Sequence, residues 1–271
     1  MGQHFLADGR VLSRIVAAAE IDCDDLVLEV GPGSGALTRR LVGRGAHVLA
    51  IELDSQLAAA LPARLGHPPN LTVVEGDART LDLASLVAPG TVYKVVGNLP
   101  YYAANPIVRR FLEATPKPRL MVVTLQEEVA RTMTASPGKM GFLSVATQYY
   151  AASRLVCTVP PRAFRPPPKV TSAVVRLDVR AEPAVKVADE RKFFALVRAG
   201  FSAPRKQLRN TLAHGLGIPT AAGAQLLGGL ELDGTRRPAT LSLEEWALIY
   251  AAWEQLSKVE SAGLCEAESN P

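Results

Sequence analysis

Short apolar runs rich in Val, Ile and Leu alternate with amphipathic segments between residues 26 and 125. The runs predict five buried strands, at residues 26–30, 47–52, 71–75, 93–97 and 119–125. Leu and Ala recur at helical spacing between most of these runs, for example at residues 36–42 and 55–64. Strands that alternate with helices pair in parallel through right-handed crossovers. The pattern therefore predicts an α/β fold with a doubly wound, mainly parallel sheet.

The pattern changes beyond residue 125. A further helix near residues 127–135 is followed by a loop, and then by two predicted strands, 155–159 and 172–179, joined by a proline-rich turn. A linker at residues 180–189 precedes four helical patterns, at residues 191–200, 205–214, 221–227 and 243–256. Ser242 and Glu245 begin the last one with a capping box. We therefore expect one domain at residues 1–180 and a small, all-helical C-terminal domain at residues 181–271.

The composition argues against several classes of protein. No apolar run is long enough to span a bilayer and the N-terminus lacks the pattern of a signal peptide, so a cytoplasmic protein without membrane contact is expected. The three cysteines are far apart, which argues against a disulfide framework. The four histidines have no cysteine or acidic residue at metal-ligand spacing, so no metal site is predicted. The net charge of +4 is compatible with a polyanionic partner.

A glycine-rich turn, L-E-V-G-P-G-S-G, links the first predicted strand to a helix. Gly31, Gly33 and Gly35 would let the backbone approach a ligand closely. Dinucleotide sites use G-x-G-x-x-G, which seats a pyrophosphate on the helix N-terminus. The E-x-G-x-G-x-G spacing here is similar to that of S-adenosylmethionine sites instead. Because that ligand carries no phosphate, Glu29 could help hold its cationic methionine end. The alternative is a glycine turn with only a packing role.

Two acidic residues lie at the ends of the next two predicted strands. Glu52 ends the second strand, where a carboxylate can accept hydrogen bonds from ribose hydroxyls. Asp77 follows the third strand and could accept a hydrogen bond from an adenine amine, with the backbone N–H of Ala78 nearby. An Asp after a strand is by itself usually a turn residue. Because Asp77, the glycine turn and Glu52 would all line the carboxyl edge of one sheet, Asp77 is predicted to contact the cofactor.

The fourth predicted strand is followed by Asn98-Leu99-Pro100-Tyr101. An exocyclic amine is a poor nucleophile because its lone pair is delocalised into the purine ring. The side-chain carbonyl of Asn98 and the backbone carbonyl of Leu99 could accept its two protons, Pro100 would stiffen the turn, and Tyr101 would offer a stacking face. This motif predicts catalysis mainly by positioning a flipped-out adenine. The alternative is a strand-end turn with a packing tyrosine.

Aromatic and basic residues elsewhere in the sequence are further candidates for contacts with a flipped base or a polyanionic partner. Phe164 lies in the proline-rich turn between Arg162 and Arg165, where it could form the second wall around a flipped base. A phenylalanine tucked back on the core is the alternative. Basic residues crowd one stretch of the C-terminal domain, at Arg205, Lys206 and Arg209. A charge run of this kind is usually a solvated helix face.

Taken in order, the motifs resemble those of the KsgA/RsmA-type rRNA adenine N6,N6-dimethyltransferases. The resemblance runs from Gln3 to about Trp253. Its matching segments are G-Q-H-F-L (2–6), L-E-V-G-P-G-S-G-A-L-T (28–38), A-I-E-L-D (50–54), E-G-D-A (75–78), V-V-G-N-L-P-Y (95–101), L-Q-E-E-V-A (125–130), the V-P-P-R-A-F-R-P-P-P-K segment with its following strand (159–177) and F-S-A-P-R-K-Q-L-R-N-T-L (201–212).

The resemblance implies a Rossmann-like class I methyltransferase fold and S-adenosylmethionine as cofactor. The family dimethylates two adjacent adenosines in the 3′-terminal hairpin of small-subunit rRNA during ribosome assembly, and a monomer is expected. Gln3, His4 and Leu6 would help close over the cofactor, and Leu99, Tyr101 and Phe164 would surround the target adenine. The resemblance supports cofactor contacts by Gly31, Gly33, Glu52, Asp77, Ala78 and Asn98. It also favours salt-sensitive RNA contacts by the helical domain, through Arg205, Lys206 and Arg209.

Three departures from the family pattern stand out. The chain begins at Met1-Gly2, where the family usually has basic residues ahead of its G-Q-x-F-L motif, so an arm that gates the cofactor and binds RNA is expected to be shortened. Tyr102 and Asn105 lie in Y-A-A-N-P. This segment replaces a small polar run that the family often has after Asn98-Leu99-Pro100-Tyr101, the acceptor motif. Glu127 stands where a basic residue is common.

Three other functions remain open. One is a large-subunit rRNA adenine N6-methylase of the macrolide-resistance type. Another is a non-catalytic RNA-binding assembly or transcription factor with the same fold, against which the intact Asn98, Tyr101 and glycine turn argue. A nicotinamide-dependent oxidoreductase is the third, but it would need the longer glycine spacing.

Overall fold

The computed structural model of the chain describes residues 4–267, with side chains described as far as residue 256. Contacts between residues divide it into two compact units. The first unit contains Met1–Thr134 and Tyr150–Glu182, and the second contains Ala135–Tyr149 and Pro183–Pro271. Among the described residues, no helix is long and apolar enough to cross a membrane.

The first unit is built on β-strands. They are β1 (Phe5–Leu6), β2 (Leu26–Val30), β3 (His47–Glu52), β4 (Leu71–Glu75), β5 (Tyr93–Asn98), β6 (Leu120–Gln126), β7 (Ala151–Val159), β8 (Phe164–Arg165) and β9 (Ser172–Val179). Seven of them form one sheet in the order β4-β3-β2-β5-β6-β9-β7, while β1 and β8 form a separate antiparallel pair. Strands β2 to β6 are parallel, and β9 and β7 are added antiparallel. This sheet confirms the predicted α/β fold.

Six helices belong to the first unit: α1 (Gly9–Ala18), α2 (Ala36–Val42), α3 (Ser55–Leu65), α4 (Leu83–Leu86), α5 (Ala104–Leu112) and α6 (Glu127–Met133). Helices α1 and α3 are capped by aspartates. The Asp8 carboxylate accepts hydrogen bonds from the amides of Arg10 and Val11, and Asp54 caps α3 in the same way. Side chains of α1 such as Leu12 and Ile15 pack with strand residues in one buried cluster. Parallel strands covered by helices on both faces carry continuous apolar runs, as β5 and β6 do here.

The order of the strands determines where a ligand can bind. From β2 the chain proceeds outward through β3 to β4, and it then returns to the other side of β2 to form β5 and β6. A reversal of this kind leaves a crevice outside the carboxyl ends of the two central strands. The glycine-rich turn follows β2 and Asn98 ends β5, so the two motifs flank this switch point.

The second unit is helical: α7 (Phe142–Tyr150), α8 (Glu190–Gly200), α9 (Leu208–Leu216), α10 (Thr220–Gly228) and α11 (Leu243–Ala267). The capping box predicted for α11 is confirmed. The Ser242 amide donates to Glu245 Oε2 at 2.8 Å, and the Glu245 amide donates to Ser242 Oγ at 3.2 Å. Helix α9 begins three residues later than expected. The Leu208 amide donates to the Arg236 carbonyl at 2.7 Å, so a neighbouring loop satisfies an amide at the helix start.

The division between the units differs from the predicted boundary at residue 180 in one segment. Ala135–Tyr149, expected in the first domain, belongs to the second unit. The Tyr149 ring stacks against Phe193 of α8 with ring centroids 5.4 Å apart, and it meets Phe194 edge-on at 5.2 Å. Burial of these aromatic rings stabilises the association of α7 with α8. Because these residues are distant in sequence, no local sequence pattern could have predicted that this segment belongs to the second unit.

Candidate active site

A cavity of about 520 Å³ opens at the switch point of the sheet, within the first unit. Its walls come from the N-terminal segment and from the residues that end or follow β2 to β5. The lining residues are His4, Phe5, Val30, Gly31, Gly33, Ile51, Glu52, Leu53, Gly76, Asp77, Ala78, Arg79, Asn98, Leu99, Pro100, Tyr101, Tyr102, Ala103 and Ile107. The cavity thus brings together the glycine turn, the two acidic positions and the Asn-Leu-Pro-Tyr motif.

The glycine turn is held tightly against its surroundings. Gly33 has a φ of +53°, and a Cβ atom at this position would lie 2.7 Å from the Phe5 ring. A side chain there would therefore clash with the cavity wall and strain the backbone. The Gly33 amide donates a hydrogen bond to Glu52 Oε2 at 3.0 Å, which ties the turn to the end of β3.

Glu52 lies at the base of the cavity and is only 4% exposed. Its second oxygen, Oε1, accepts a hydrogen bond from the Asp54 amide at 3.1 Å. Each carboxylate oxygen can accept two hydrogen bonds, so both retain acceptor capacity toward the cavity. The backbone amides fix the rotamer of Glu52, and a ligand would find the carboxylate already oriented.

Asp77 also lines the cavity, but its carboxylate is engaged by a residue that the sequence analysis missed. The Arg79 guanidinium donates from Nη2 to Asp77 Oδ2 at 2.6 Å and from Nε to Oδ1 at 3.0 Å. This arginine holds the pKa of the Asp77 carboxyl below its ordinary value. Arg79 also lies over the Tyr102 ring, 5.9 Å from its centroid. The spacing of Asp and Arg two residues apart in a turn was the sequence signal that could have revealed the ion pair.

The acceptor motif is fixed by hydrogen bonds at both ends. Asn98 Nδ2 donates to the His4 carbonyl at 2.9 Å, whereas the buried Oδ1 has no hydrogen-bond partner among the described residues. The Tyr101 hydroxyl lies 2.6 Å from Ser172 Oγ, and its ring stacks with His4 at a centroid distance of 6.2 Å. A buried acceptor without a partner is costly unless a ligand completes it. The unpartnered Oδ1 makes Asn98 a candidate for contact with a bound molecule.

The family whose model describes ribosomal RNA adenine dimethylase matches residues 1–247 of the chain. The chain belongs to this family. Membership confirms the resemblance identified in the sequence: the protein is an rRNA adenine dimethyltransferase, and S-adenosylmethionine is its cofactor.

Curated relatives of the dimethylase family are similar over most of their length. The chain is 42% identical over 249 residues to the ribosomal RNA small subunit methyltransferase A of Dehalococcoides mccartyi, a match that covers 92% of this chain and 86% of the relative. It is 43% identical over 261 residues to the protein of that name in Pelotomaculum thermopropionicum, covering 92% and 88%.

Two solved structures share the fold. The 23S rRNA methyltransferase ErmE superposes with a TM-score of 0.73 at 32% identity, covering 92% of this chain and 98% of that one. A dimethyladenosine transferase from Plasmodium falciparum gives a TM-score of 0.77 at 24% identity, covering 93% and 98%. Both support the methyltransferase fold predicted from the sequence.

Several residues predicted for the dimethylase site lie away from the cavity. Leu6 is buried in the core cluster. The Glu29 side chain is 1% exposed and does not line the cavity; burial raises its pKa to about 8. Gly35 is the N-cap residue just before α2, and a Cβ there would lie 2.8 Å from Leu61 Cδ1, so close packing requires a glycine at this position. Gln3 lies outside the described residues.

Phe164 was expected to form the second wall around a flipped base, but it does not line the cavity, and the alternative of a phenylalanine packed on the core is the one observed. Its side chain is 0% exposed and belongs to the same core cluster as Leu6. Strand β8 pairs with β1, so that Leu6 lies opposite Phe164 and Phe5 opposite Arg165. Successive side chains of a strand point to opposite faces. Phe164 therefore points inward while Arg165 points to solvent.

The predicted RNA-binding residues are mostly exposed. Arg162 and Arg165 are exposed in the first unit, at the 3₁₀ turn Pro161–Ala163 and at the end of β8. In the second unit, Arg205 and Lys206 lie in the turn before α9 rather than on a helix, and Arg209 is half-buried at the start of α9. Among the residues that the structure describes, no group of three or more His, Cys, Asp or Glu side chains could hold a metal ion.

Proposed function

We propose that this dimethylase transfers methyl groups from S-adenosylmethionine to N6 of two adjacent adenosines in the 3′-terminal hairpin of small-subunit rRNA. The observation that carries the proposal is the buried Oδ1 of Asn98, which lacks a partner among the described residues and belongs to a residue that lines the same cavity as Glu52 and the glycine turn. The names of the relatives at 42–43% identity support the small subunit as substrate, against 32% for the 23S rRNA enzyme.

The residues at one end of the cavity fit S-adenosylmethionine. Glu52 accepts hydrogen bonds from the ribose hydroxyls, and the carboxylate of Asp77 and the backbone of Ala78 contact the adenine ring. Gly31 and Gly33, which line the cavity without side chains, bring the backbone close to the methionine end. His4 and Phe5 cover the cofactor from the N-terminal segment. The apolar walls are supplied by Val30, Ile51 and Leu53.

The acceptor adenine occupies the other end of the cavity. The bound cofactor supplies a methyl carbon made electrophilic by an adjacent sulfonium. Asn98 Oδ1 and the Leu99 carbonyl accept the two N6 protons and hold the nitrogen lone pair toward that carbon. Tyr101 stacks on the base, and the Ser172 hydroxyl fixes the orientation of its ring. Bond formation from N6 to the methyl carbon would be matched by breaking of the carbon–sulfur bond, which would leave a neutral thioether, and the proton lost from N6 would pass to solvent, so that positioning supplies most of the catalysis.

The exposed basic residues contact the RNA backbone in this proposal. Arg162 and Arg165 act from the first unit, and Arg205, Lys206 and Arg209 from the second. Each phosphate contact releases counterions, so that affinity falls steeply as salt rises. Replacing Arg205 and Lys206 together by Gln is expected to weaken subunit binding and to lower its dependence on salt by roughly two phosphate contacts. The enzyme acts as a monomer, which light scattering at assay concentrations would test.

The deciding experiment uses labelled S-adenosylmethionine with small ribosomal subunits that lack the modification. The RNA is then digested and its nucleosides identified. Dimethyladenosine from the 3′-terminal hairpin supports the proposal. Label in large-subunit RNA alone would favour the macrolide-resistance type of methylase. If neither RNA is labelled although the cofactor binds, a non-catalytic assembly factor becomes the better description.

A further inference from the structure

Tyr101 ends the acceptor motif and Tyr102 follows it directly, but the surroundings of the two tyrosines differ. Tyr101 is half-buried, and its hydroxyl is hydrogen-bonded to Ser172. Tyr102 also contributes to the cavity lining, yet 67% of it is exposed. One ring is therefore held inside the site, and the other stands at its mouth. The role of Tyr101 does not account for the exposed ring of Tyr102.

Arg79 holds the Tyr102 ring in place from one side. The guanidinium lies 5.9 Å from the ring centroid, within the range of a cation–π contact. Arg79 is itself anchored by its ion pair with Asp77, through Nε and Nη2. Its Nη1 atom makes no hydrogen bond to the described residues in this arrangement. The exposed aromatic surface thus has a fixed orientation and a positive charge beside it.

We infer that Tyr102 stacks on the nucleobase next to the flipped adenosine, and that Arg79 supports this stacking and offers Nη1 to the neighbouring phosphate. The inference rests on the proposed function and deepens it. Because the substrate has two adjacent adenosines, whichever one enters the cavity leaves the other at its mouth. An aromatic ring beside a cation is the combination with which proteins bind single-stranded nucleic acid without reading its sequence. Tyr102 would thus stack on the RNA base outside the cavity, whereas Tyr101 stacks on the target adenine inside it.

Three substitutions at Tyr102 test the stacking. With small ribosomal subunits as substrate, Tyr102→Ala is expected to raise KM about tenfold and to leave kcat within about twofold, because loss of one stacked base weakens RNA binding rather than chemistry. Tyr102→Phe keeps the ring and should behave as the wild type. Tyr102→Leu keeps apolar bulk without the ring and should resemble Tyr102→Ala. The dissociation constant for S-adenosylmethionine, measured by calorimetry, should stay constant in all three.

A matched control is available in the same unit. Val92 is 65% exposed, close to the exposure of Tyr102, and it lies just before β5, at the end of that strand opposite Asn98. Val92→Ala should leave the KM for subunits unchanged. Arg79→Leu is expected to weaken both RNA and cofactor binding, because Arg79 touches Tyr102 and Asp77. The Tyr102 series is therefore the decisive one.

The outcomes separate this inference from the proposed function. If wild-type protein methylates small-subunit rRNA and Tyr102→Ala has an unchanged KM, the proposed function stands and the stacking role is wrong. The same conclusion follows if Tyr102→Leu matches the wild type, or if Tyr102→Ala changes only cofactor affinity. If wild-type protein methylates no small-subunit rRNA, the proposed function fails and the inference fails with it.

Discussion

The side-chain amide of Asn98 donates a hydrogen bond to the backbone carbonyl of His4 at 2.9 Å, and so joins the N-terminal segment to the end of β5. Asn98 lines the cavity, and its buried Oδ1 has no hydrogen-bond partner among the described residues. His4 in turn stacks with Tyr101. Contacts of His4 therefore connect the N-terminal segment of the cavity wall directly to the acceptor motif.

Replacing Asn98 by Ala should abolish most of the methyl transfer. Single-turnover rates on small ribosomal subunits are expected to fall about 100-fold. The N6 amine of the target adenosine loses an oriented hydrogen-bond acceptor, and the N-terminal segment loses the hydrogen bond between the His4 carbonyl and Asn98. Asn70→Ala is a suitable control. Its side chain donates to the Val42 and Ala46 carbonyls, away from the cavity, so its loss should lower stability and spare the rate. Equal rate losses in the two variants would contradict the role of Asn98.

Replacing Glu52 by Gln should weaken cofactor binding. The amide keeps the shape but loses the charge that strengthens hydrogen bonds to ribose hydroxyls, and its NH2 group cannot accept one of the two backbone amide hydrogen bonds that orient Glu52. We expect a loss of about 1.5–3 kcal/mol, or roughly 10- to 100-fold in Kd. Calorimetric titration with S-adenosylmethionine measures it directly. Glu75 lies opposite Glu52 in the register of β3 and β4, but it is exposed and outside the cavity lining. Glu75→Gln should bind cofactor normally; a similar loss there would indicate a general charge effect.

Replacing Gly33 by Ala should impair both folding and cofactor binding. The new Cβ would adopt a positive φ and meet the Phe5 ring at 2.7 Å. The backbone strain alone costs about 1–2 kcal/mol. At Gly66 the φ of +80° imposes similar strain, but nothing lies within 4 Å of a Cβ. Gly66→Ala should therefore lower the Tm without changing cofactor Kd, whereas Gly33→Ala should raise Kd at least tenfold. Unchanged cofactor affinity in Gly33→Ala would show that the Phe5 ring can move away from the new Cβ without disturbing the cofactor site.

Glu29 should make the fold less stable as pH rises. Burial raises its pKa from an ordinary 4.5 to about 8. Between these values the native chain retains a proton that the unfolded chain has released, so rising pH favours unfolding. Stability should fall by about 1.4 kcal/mol per pH unit from this group and level off above pH 8. In Glu29→Gln, urea unfolding between pH 5 and pH 9 should lack this component of the slope. Parallel pH profiles for both proteins would contradict a protonated Glu29.

The polar residues of the site were largely predictable because each one ends a strand or follows it directly. Glu52, Asp77 and Asn98 lie at or just beyond the ends of β3, β4 and β5, and the carboxyl ends of parallel strands meet at one edge. Apolar periodicity located the strands, and position after a strand then located the side chains. The same rule failed for Glu29. It lies one residue before the end of β2, and its side chain is buried rather than open to the cavity.

Local pattern could not place the residues whose role depends on partners distant in sequence. The proline-rich turn around Phe164 left open whether its ring faces a ligand or the core, and pairing of β8 with β1 places it in the core. Helix α7 joined the second unit through the contacts of Tyr149 with Phe193 and Phe194. Arg79 and Tyr102 are 23 residues apart, and only folding brings the guanidinium over the ring.

The amino-acid sequence by itself determined the parallel sheet, the order of its motifs and the chemical class of the site, because hydrophobic periodicity and strand-end position are local properties of the chain. Tertiary structure alone decided which side chains face the cavity. Burial raises the pKa of Glu29, strand pairing buries Phe164, and the Asn98 side chain bonds to His4 while its buried Oδ1 has no partner among the described residues. Each of these depends on atoms that lie far apart along the chain, and only packing brings them within a few ångströms of one another.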